Sequence, residues 1–262
     1  MKRVQINPLF DDNKELHIFI ENLPEDFEGG GEIIWNGRNK IKKFPIIITN
    51  ADGSVYSIVV KRFKRPGFIK AISYAIRRSK AAKAFCNGME LLRSGVDTPI
   101  PIACVEVTCS TVCKDMYYIC GETNMKPIVN ALERSKWDVG LATAFARFVA
   151  MLHTKGILHK DLNNTNVLYA QHADGSYSFS VIDINRMKFY SESKIVPLKI
   201  CLRNLTLFTG CIDLFVYVLR EYLNARGIND KGIERQGLRI KKAHDISYAR
   251  RKKIFHPLRC KK

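Results

Sequence analysis

A cluster of polar side chains interrupts an otherwise apolar stretch, GILHKDLNNTNVLY, between residues 156 and 169. Asp161 can accept a proton from a hydroxyl group, and Asn166 and the more distant Asp183 offer hard oxygen ligands. Oxygen ligands of this kind suit Mg²⁺ better than a transition metal. Phosphoryl transfer needs a carboxylate that orients the nucleophile, metal ions on the phosphates and little other chemistry. The residue types in this stretch therefore indicate phosphoryl transfer.

Two predicted elements hold this loop in place. A helix is predicted to begin at Ser135, where Ser-Lys-Trp-Asp resembles a capping box, and to end at Lys155 and Gly156. After the loop, VLYAQHADGSYSFSVID is predicted to form a β-hairpin that leads to Asp183. Because apolar elements flank the loop on both sides, we expect its polar side chains to be fixed and to converge.

The N-terminal half is predicted to consist mainly of strands. The runs IKKFPIIIT and SVYSIVVKRF flank residues 50–53, Asn-Ala-Asp-Gly, which is a turn sequence typical of a β-hairpin. A helix follows, with Ser79 as its N-cap and Gly95 after its end. VDTPIPIACVEV and MYYIC are two further strand candidates, and the polar stretch GETN after them could connect two lobes. We therefore predict an N-lobe of residues 1–121 and a C-lobe of residues 122–262.

Basic residues are in large excess. Lys and Arg number 43 against 25 Asp and Glu, which gives a net charge of +18. Much of the excess lies in KRFKRPGFIKAISYAIRRSKAAK, residues 61–83, and in RIKKAHDISYARRKKIFHPLRCKK, residues 239–262. Closely spaced bases predict a polyanionic partner, and nucleic acid, an anionic membrane face and a phosphorylated glycolipid all fit. Either run could instead be a solvated charged surface.

Other patterns argue against several classes of protein. The N-terminus lacks the apolar core of a signal peptide, and no apolar run is long enough to span a bilayer. The eight cysteines are scattered among apolar neighbours, which is typical of reduced thiols rather than of a disulfide framework. We therefore expect a cytoplasmic protein. Cys109 and Cys113 lack a second ligand pair for zinc, so we interpret them as small core residues.

Four motifs, in order along the chain, resemble those of the protein-kinase superfamily. HKDL followed by Asn166 has the spacing of the catalytic loop H-R-D-L-x-x-x-N, with Asp161 as its aspartate. Lys61 ends the run VVK, in the place of the lysine of V-A-I-K, and Glu90 lies in the following predicted helix. Asp183 takes the place of the aspartate of D-F-G. The resemblance implies an α+β, bilobal, protein-kinase-like fold, with a small antiparallel-sheet N-lobe and a short, mainly helical C-lobe.

Departures from eukaryotic protein kinases point to one subfamily. Asp183 is followed by Ile-Asn-Arg instead of Phe-Gly, and the A-P-E motif is missing from the 79 residues that remain. Residues 32–225 resemble the bacterial lipopolysaccharide kinase family, which includes kinases of 3-deoxy-D-manno-octulosonic acid (Kdo) and of core heptose. The resemblance lies in NGRNKIK, VVKRFKRP, the segment from SKAAKAF to TPIPIA, LHTKGILHKDLNNTNVLY and IDINRMKF. It is strongest to Kdo-kinase-like members of Bacteroidetes-type Gram-negative bacteria.

This resemblance implies roles for individual residues, with ATP and Mg²⁺ as cofactors. Asp161 would be the catalytic base, Lys61 would contact the α and β phosphates, and Glu90 would form an ion pair with Lys61. Asn166 and Asp183 would be the Mg²⁺ ligands. The further assignments from the resemblance are His159 as a support of the catalytic loop, Arg186 near a substrate phosphate or in ordering its loop, Gly37 and Arg38 in the phosphate-covering turn, and Glu122 near the adenine. Asn163 and Asn164 are interpreted from their residue type as loop formers that tolerate turn conformations.

The implied activity is ATP-dependent phosphorylation of a sugar hydroxyl on the lipopolysaccharide inner core, with a Kdo residue of Kdo-lipid A as the expected acceptor. The partners would be this anionic glycolipid and the inner face of the inner membrane of a Gram-negative bacterium, bound through both basic runs. Nucleic acid is not expected. Two alternatives stay open, a small atypical Ser/Thr protein kinase of the RIO type and a basic pseudokinase scaffold without phosphoryl transfer.

Overall fold

The computed structural model describes residues 1–49, 53–74, 77–109, 112–132, 137–191 and 195–255. The chain divides into two compact units. The first unit comprises residues 1–124 together with residues 181–186, and the second comprises residues 125–180 and the part of the chain from residue 187 onwards. The short segment that carries Asp183 therefore groups with the N-terminal unit, far from it in sequence.

The first unit is built on a six-stranded antiparallel sheet with the strand order β1-β5-β6-β4-β3-β2. Its strands are β1 (Lys2–Ile6), β2 (Glu32–Asn36), β3 (Lys40–Thr49), β4 (Val55–Arg62), β5 (Pro101–Cys109) and β6 (Val112–Gly121). Its helices are α1 (Lys14–Glu21), α2 (Glu25–Gly29), α3 (Phe68–Ser73) and α4 (Lys80–Arg93). A sheet of this kind confirms the predicted antiparallel-sheet N-lobe.

The predicted hairpin and helix of this unit are confirmed. β3 and β4 pair in antiparallel register from Thr49 and Val55 to Lys40 and Arg62. Of the predicted turn residues, 50–52 lie outside the described residues. The helix α4 begins after Ser79, whose hydroxyl oxygen accepts a hydrogen bond of 3.1 Å from the backbone N–H of the third residue beyond it.

The side chains of β4 alternate between the two faces of the sheet. Ile58 and Val60 are fully buried, and they belong to a core that also contains Phe27 of α2 and Tyr117 of β6. Because successive side chains of a strand point to opposite faces, Lys61 projects from the other face. The helices α1 and α2, which the sequence analysis did not predict, thus cover the face opposite to Lys61.

The second unit is mainly helical, as predicted for the C-lobe. Its helices are α5 (Val139–Thr154), α6 (Leu198–Leu205), α7 (Ile212–Ala225) and α8 (Lys231–Phe255). Its strands are β7 (Lys126–Pro127), β8 (Ile157–His159), β9 (Val167–Gln171), β10 (Tyr177–Val181) and β11 (Met187–Phe189). The last residue of β10 groups with the first unit. Residues of α5, α6 and α7 form its hydrophobic core. The predicted second hairpin is confirmed, since β9 and β10 are neighbours in a small sheet.

The predicted start of the long helix at Ser135 is wrong. Ser135 itself lies outside the described residues, but Trp137 forms an isolated β-bridge with Leu132, and α5 begins only at Val139. The carboxylate of Asp138 accepts a hydrogen bond of 2.8 Å from the backbone N–H of Leu141, so Asp138 is the N-cap. The N-cap is thus the last residue of Ser-Lys-Trp-Asp instead of the first. Ser and Asp are both favourable N-cap residues, so the local sequence does not distinguish between them.

The two neighbouring cysteines have different environments. Cys113 is buried, and burial raises the pKa of its thiol to about 11. Cys109 is exposed at the end of β5. The interpretation as small core residues is therefore right for Cys113 and wrong for Cys109.

Gly156 joins α5 to β8 in a backbone conformation that favours glycine. Its φ is +73°, in the left-handed region, and its carbonyl oxygen accepts a hydrogen bond of 2.9 Å from the N–H of Tyr190. The strand β8, which ends at His159, starts directly after it. The correct placement of the loop that follows β8 therefore depends on this turn.

We expect Gly156→Ala to lower the free energy of unfolding by about 1 to 2 kcal/mol, because a Cβ atom crowds the following carbonyl in the left-handed region. Urea unfolding followed by circular dichroism measures this change. Gly210→Ala is the matched control, since a Cβ at residue 210 meets nothing within 4 Å. A cost for Gly156→Ala no larger than that for Gly210→Ala would contradict the assignment.

Candidate active site

Lys61 forms an ion pair with Asp183 inside the first unit. Its ammonium contacts Oδ1 of that carboxylate and lies 5.1 Å from the ring centroid of Phe63. The Lys61 side chain is only 14% exposed, so the aspartate compensates a charge that is largely removed from water. The structure thus brings together the predicted phosphate-binding lysine and a predicted metal ligand.

The predicted ion pair between Glu90 and Lys61 is replaced by other contacts. Glu90 lies near the end of α4, and its carboxylate pairs at 2.5 Å with Arg93, one helical turn further on. The buried residues of α4 include Phe85 and Gly88, and at 100° per residue Glu90 falls almost opposite this buried stripe. Glu90 therefore pairs with Arg93 at the surface. The prediction was right about the helix that carries Glu90 but wrong about the face of that helix on which it lies.

Asn87, which the sequence analysis did not single out, takes the inward position on α4. Its Nδ2 donates a hydrogen bond of 2.7 Å to the backbone carbonyl of Ile184, the residue directly after Asp183. An asparagine within a helix gives little signal of function by itself. Its position three residues before Glu90, within the same predicted helix, was the available clue.

The segment around Asp183 is held at several points. The backbone N–H of Val181 donates to the carbonyl of Asp97 at 3.1 Å, and the Thr98 hydroxyl donates to the carbonyl of Val181 at 2.8 Å. Asp183 has φ +55°, an uncommon conformation for a residue other than glycine, and Asn185 Nδ2 donates to its carboxylate at 2.9 Å. Uncommon backbone conformations of this type persist where the surroundings over-determine them, and they cluster at functional sites.

The catalytic-loop residues lie in the second unit, directly after β8. His159 Nδ1 accepts a hydrogen bond of 3.2 Å from the backbone N–H of Asp161. Asn166 Nδ2 donates to the backbone carbonyl of Asp161 at 2.9 Å, and Asn163 Nδ2 donates to the Asp161 carboxylate at 3.3 Å. His159 therefore supports the loop through a hydrogen bond, and the loop aspartate is held from three sides.

Asn163 does more than tolerate a turn conformation. Its Oδ1 accepts hydrogen bonds from the backbone N–H groups of Thr165 at 3.0 Å and of Asn166 at 3.1 Å. Side chains of Asn commonly close such turns by bonding to the backbone two or three residues further on. Asn163 is thus a loop former, as predicted, and it also orients the Asp161 carboxylate.

A buried polar network lies under this loop. Asn204 of α6 donates through Nδ2 to the backbone carbonyl of His159 at 2.8 Å, and its Oδ1 lies 3.1 Å from His153 Nε2. The other ring nitrogen, His153 Nδ1, lies 3.0 Å from the Tyr222 hydroxyl. This network makes Nε2 the protonated nitrogen of a neutral imidazole, because Asn204 Oδ1 can only accept. Burial lowers the pKa of His153 to about 4, which keeps the ring neutral.

The remaining predicted residues lie on the surface of the first unit. Gly37 and Arg38 form the turn between β2 and β3, and Trp35 packs so closely over Gly37 that a Cβ atom there would lie 2.6 Å from the indole nitrogen. Glu122 pairs with Lys43 at 2.7 Å. Arg186 is exposed and makes no hydrogen bond or ion pair with the described residues. The roles of Gly37, Arg38, Glu122 and Arg186 stay predictions.

The donor atoms of the two predicted metal ligands fit Mg²⁺. Asp183 supplies a carboxylate, and the Asn166 amide uses its nitrogen for the loop hydrogen bond, which leaves its oxygen for another partner. Mg²⁺ is bound in proteins by oxygen ligands of this type together with substrate phosphates. Each of these two side chains, taken by itself, therefore offers an oxygen donor of the type that Mg²⁺ binds.

Comparisons with known proteins agree with these features. Residues 68–195 match the model of the lipopolysaccharide kinase (Kdo/WaaP) family. The matched stretch contains Asp161, Asn166 and Asp183, while Lys61 lies just before it. The match confirms the resemblance drawn from the sequence, and with it the prediction of a phosphotransferase that acts on a sugar hydroxyl. No curated protein matches the chain.

Solved structures are similar over most of the chain. WaaP in complex with acyl carrier protein has a TM-score of 0.55 and 16% sequence identity, and the match covers 95% of this chain and 97% of that chain. The Rio2 kinase-ADP/Mg²⁺-phosphoaspartate complex from Chaetomium thermophilum has a TM-score of 0.41 and 15% sequence identity. This match covers 84% of this chain and 71% of that chain. The likeness to WaaP confirms the protein-kinase-like fold.

We expect acidification to destabilise the protein through His153. Its pKa is lowered on folding, so the unfolded chain binds a proton first, and stability is complete above pH 6.5 and falls as the pH drops towards 4. Between pH 7 and pH 5 this group accounts for about 2 kcal/mol.

The measurement is urea unfolding at pH 7 and pH 5, for the wild type and for His153→Gln. The difference between the two pH values should shrink by about 2 kcal/mol in the variant, because glutamine does not titrate. His172→Gln, which removes an exposed histidine, serves as the control and should leave the difference unchanged. A variant with the full wild-type difference would show that other groups cause the acid sensitivity.

We expect Asn87→Ala to lower the rate of phosphoryl transfer roughly tenfold, because the Ile184 carbonyl loses its donor and the neighbouring Asp183 is less well fixed. Glu90→Gln should change the rate less than twofold, since the one ion pair of Glu90 among the described residues is with Arg93 at the surface. Steady-state kinetics of both variants at saturating ATP gives the comparison. The reverse ranking would restore Glu90 as the partner of Lys61.

Proposed function

We propose that this chain, whose residues 68–195 match the lipopolysaccharide kinase (Kdo/WaaP) family, transfers the γ-phosphate of ATP to a hydroxyl of a Kdo residue in Kdo-lipid A. The arrangement of Asp161 carries the proposal. Its backbone N–H is bonded to His159, its carbonyl to Asn166, and its carboxylate to Asn163. Such a carboxylate is preorganised to orient an acceptor hydroxyl.

Asp161 and Lys61 have different roles in the proposed reaction. The hydroxyl oxygen of the acceptor forms a bond to the γ-phosphorus, the bond from that phosphorus to the bridging oxygen of ADP breaks, and Asp161 takes the hydroxyl proton. Lys61 would bind the α and β phosphates once ATP competes with Asp183 for its ammonium group. Transfer of this kind depends mainly on positioning and charge stabilisation, which these residues can supply.

Asn166 and Asp183 would hold Mg²⁺ through their side-chain oxygens. The ion supplies positive charge that neutralises the phosphate oxygens when it is bound. Asn185 donates to the Asp183 carboxylate, and Asn87 fixes the following carbonyl, so both would keep the aspartate in a defined orientation. Outer partners of this sort typically matter for metal affinity and activity.

The acceptor and the location are proposed from charge. Kdo-lipid A carries phosphate and carboxylate groups, and the chain has a net charge of +18. Bases are concentrated in residues 61–83 and along α8, where Arg250, Arg251 and Lys252 are exposed. Each base near an anionic membrane contributes about 1 kcal/mol of attraction. Among the described residues, no helix has the length and apolar character needed to cross a bilayer. On the basis of this charge and of the proposed acceptor, we propose that the protein lies peripherally at the inner face of the inner membrane of a Gram-negative bacterium.

The test is transfer of labelled γ-phosphate from Mg-ATP to purified Kdo-lipid A. We expect incorporation into the glycolipid, and a fall of roughly 100-fold or more for Asp161→Asn, because the amide cannot accept the proton. Asp174→Asn is the matched control, since Asp174 lies in an exposed turn and, within the described part of the chain, bonds only to Ser176.

The other acceptors in the same assay separate the alternatives. A heptose-containing core oligosaccharide that is labelled in preference to Kdo-lipid A would move the proposal to core heptose. Label on a generic protein substrate alone would identify an atypical protein kinase of the RIO type. Equal incorporation by the wild type and Asp161→Asn would show that the label does not come from this active site.

A further inference from the structure

A basic cavity lies in the first unit beside the turn that joins β2 to β3. Its volume is about 250 Å³. It is lined by Gly37, Phe63 and six charged residues, Arg38, Lys40, Arg62, Lys64, Arg65 and Glu28. Five bases thus face one carboxylate in a concave space. We call this feature the basic cavity.

Two bases of the basic cavity project from a different face of the sheet than Lys61 of the proposed nucleotide site. Lys40 and Arg62 are cross-strand partners in the pairing of β3 with β4, so their side chains share one face. This is the face of Val60, which α2 covers, whereas Lys61 projects from the opposite one. Lys40 and Arg62 are thus turned away from phosphates bound by Lys61, although the cavity also borders Phe63, whose ring lies near Lys61, and the turn of Gly37 and Arg38.

Two of its arginines are held in fixed positions. Arg62 pairs with Glu28 and lies 5.0 Å from the ring centroid of Phe27, and its side chain is only 13% exposed. Arg65 makes two hydrogen bonds to Asp115, of 2.8 Å and 3.0 Å. The hydrogen bond from Arg62 also lowers the pKa of Glu28, which keeps that carboxyl charged. These guanidinium groups need little reorganisation to bind a ligand, and fixed donors of this type are suited to phosphate.

Three other bases of the basic cavity form no ion pair with the described residues. Arg38, Lys40 and Lys64 have no ion pair within the stretches that the structure describes. The loop that carries Lys64 is nevertheless ordered, because its backbone N–H donates to Asn39 Oδ1 at 3.1 Å. Like charges that converge in a concave site repel one another and raise the local concentration of anions. The charge of the cavity is thus balanced only when an anion binds.

We propose that the basic cavity is a binding site for a phosphate group, separate from the nucleotide site. Two fixed guanidinium groups and three bases without an ion pair in the described part of the chain provide more positive charge than a singly charged carboxylate would need, and they match a phosphomonoester dianion. The group can belong to a lipid headgroup or to free phosphate. The site does not depend on which sugar the enzyme phosphorylates.

The test uses inorganic phosphate as the probe and the full chain as the protein. Thermal unfolding is followed against phosphate concentration, with chloride at matched ionic strength as the reference, because a ligand of the folded state raises the Tm with its concentration. Lys40→Gln with Lys64→Gln should weaken phosphate binding at least tenfold. Lys14→Gln with Lys126→Gln removes the same charge from exposed positions elsewhere and should have no such effect.

A second arm identifies the source of the phosphate. Flotation with phosphatidylcholine vesicles, with and without phosphatidic acid, compares the same two double variants. Loss of binding to the phosphatidic acid vesicles in the Lys40 and Lys64 double variant alone identifies a lipid headgroup. Unchanged flotation together with weakened inorganic phosphate binding identifies a soluble phosphate, and both results support the site.

Three results would overturn the proposal. The first is phosphate binding by the Lys40 and Lys64 double variant that equals the wild type, and the second is an equal loss in the control variant. The third is a parallel tenfold loss of Mg-ATP affinity, measured by calorimetry, which would place the bound phosphate in the nucleotide site. If the double variant is less folded by circular dichroism, Lys64→Gln alone provides the test, since its exposed side chain makes no hydrogen bond or ion pair among the described residues.

Discussion

The ion pair between Lys61 and Asp183 is the constraint on which the first unit depends. It joins residues 122 positions apart, and both side chains are partly withdrawn from water. A charge in such a position is costly without a partner, so β4 must present Lys61 and the segment of residues 181–186 must present Asp183 at the same place. Thr98 and Asn87 hold that segment on either side of the aspartate. Residues 181–186 group with the N-terminal unit in accordance with this requirement.

In the second unit, neutral hydrogen-bonded side chains fix the catalytic loop. The catalytic loop is exposed to solvent in part, and its position is set from below by His153 and Asn204, both almost fully buried. Buried polar groups stabilise a structure only when all of them are bonded, and this network meets that condition through Tyr222 and the backbone of His159. The helix α5 carries His153 in its last turn, so that the helix and the loop are fixed together.

The positive charge of the chain has two physical roles. Some bases are internal parts of the fold: Lys241 is almost fully buried and bonds to Asp245 and to the Thr209 carbonyl, while Lys42 bonds to the carbonyl of Phe27. Others have no ionic partner among the described residues and remain available to anions. Net charge alone therefore overstates the surface that can attract a membrane, and the distribution of paired and unpaired bases decides where an anion binds.

The sequence by itself determined the hairpins β3–β4 and β9–β10, the helix α4 and the spacing that relates Lys61, Asp161 and Asp183, because local periodicity and motif order depend on consecutive residues. It did not reveal α1 and α2, which cover one face of the first sheet. Only the tertiary structure decided which residue of α4 faces inward. Asn87 and Glu90 lie on the same helix, but the buried stripe sets the rotation of that helix about its axis, and it leaves Glu90 at the surface. Rotation of a helix depends on what packs against it, and those partners come from distant parts of the chain.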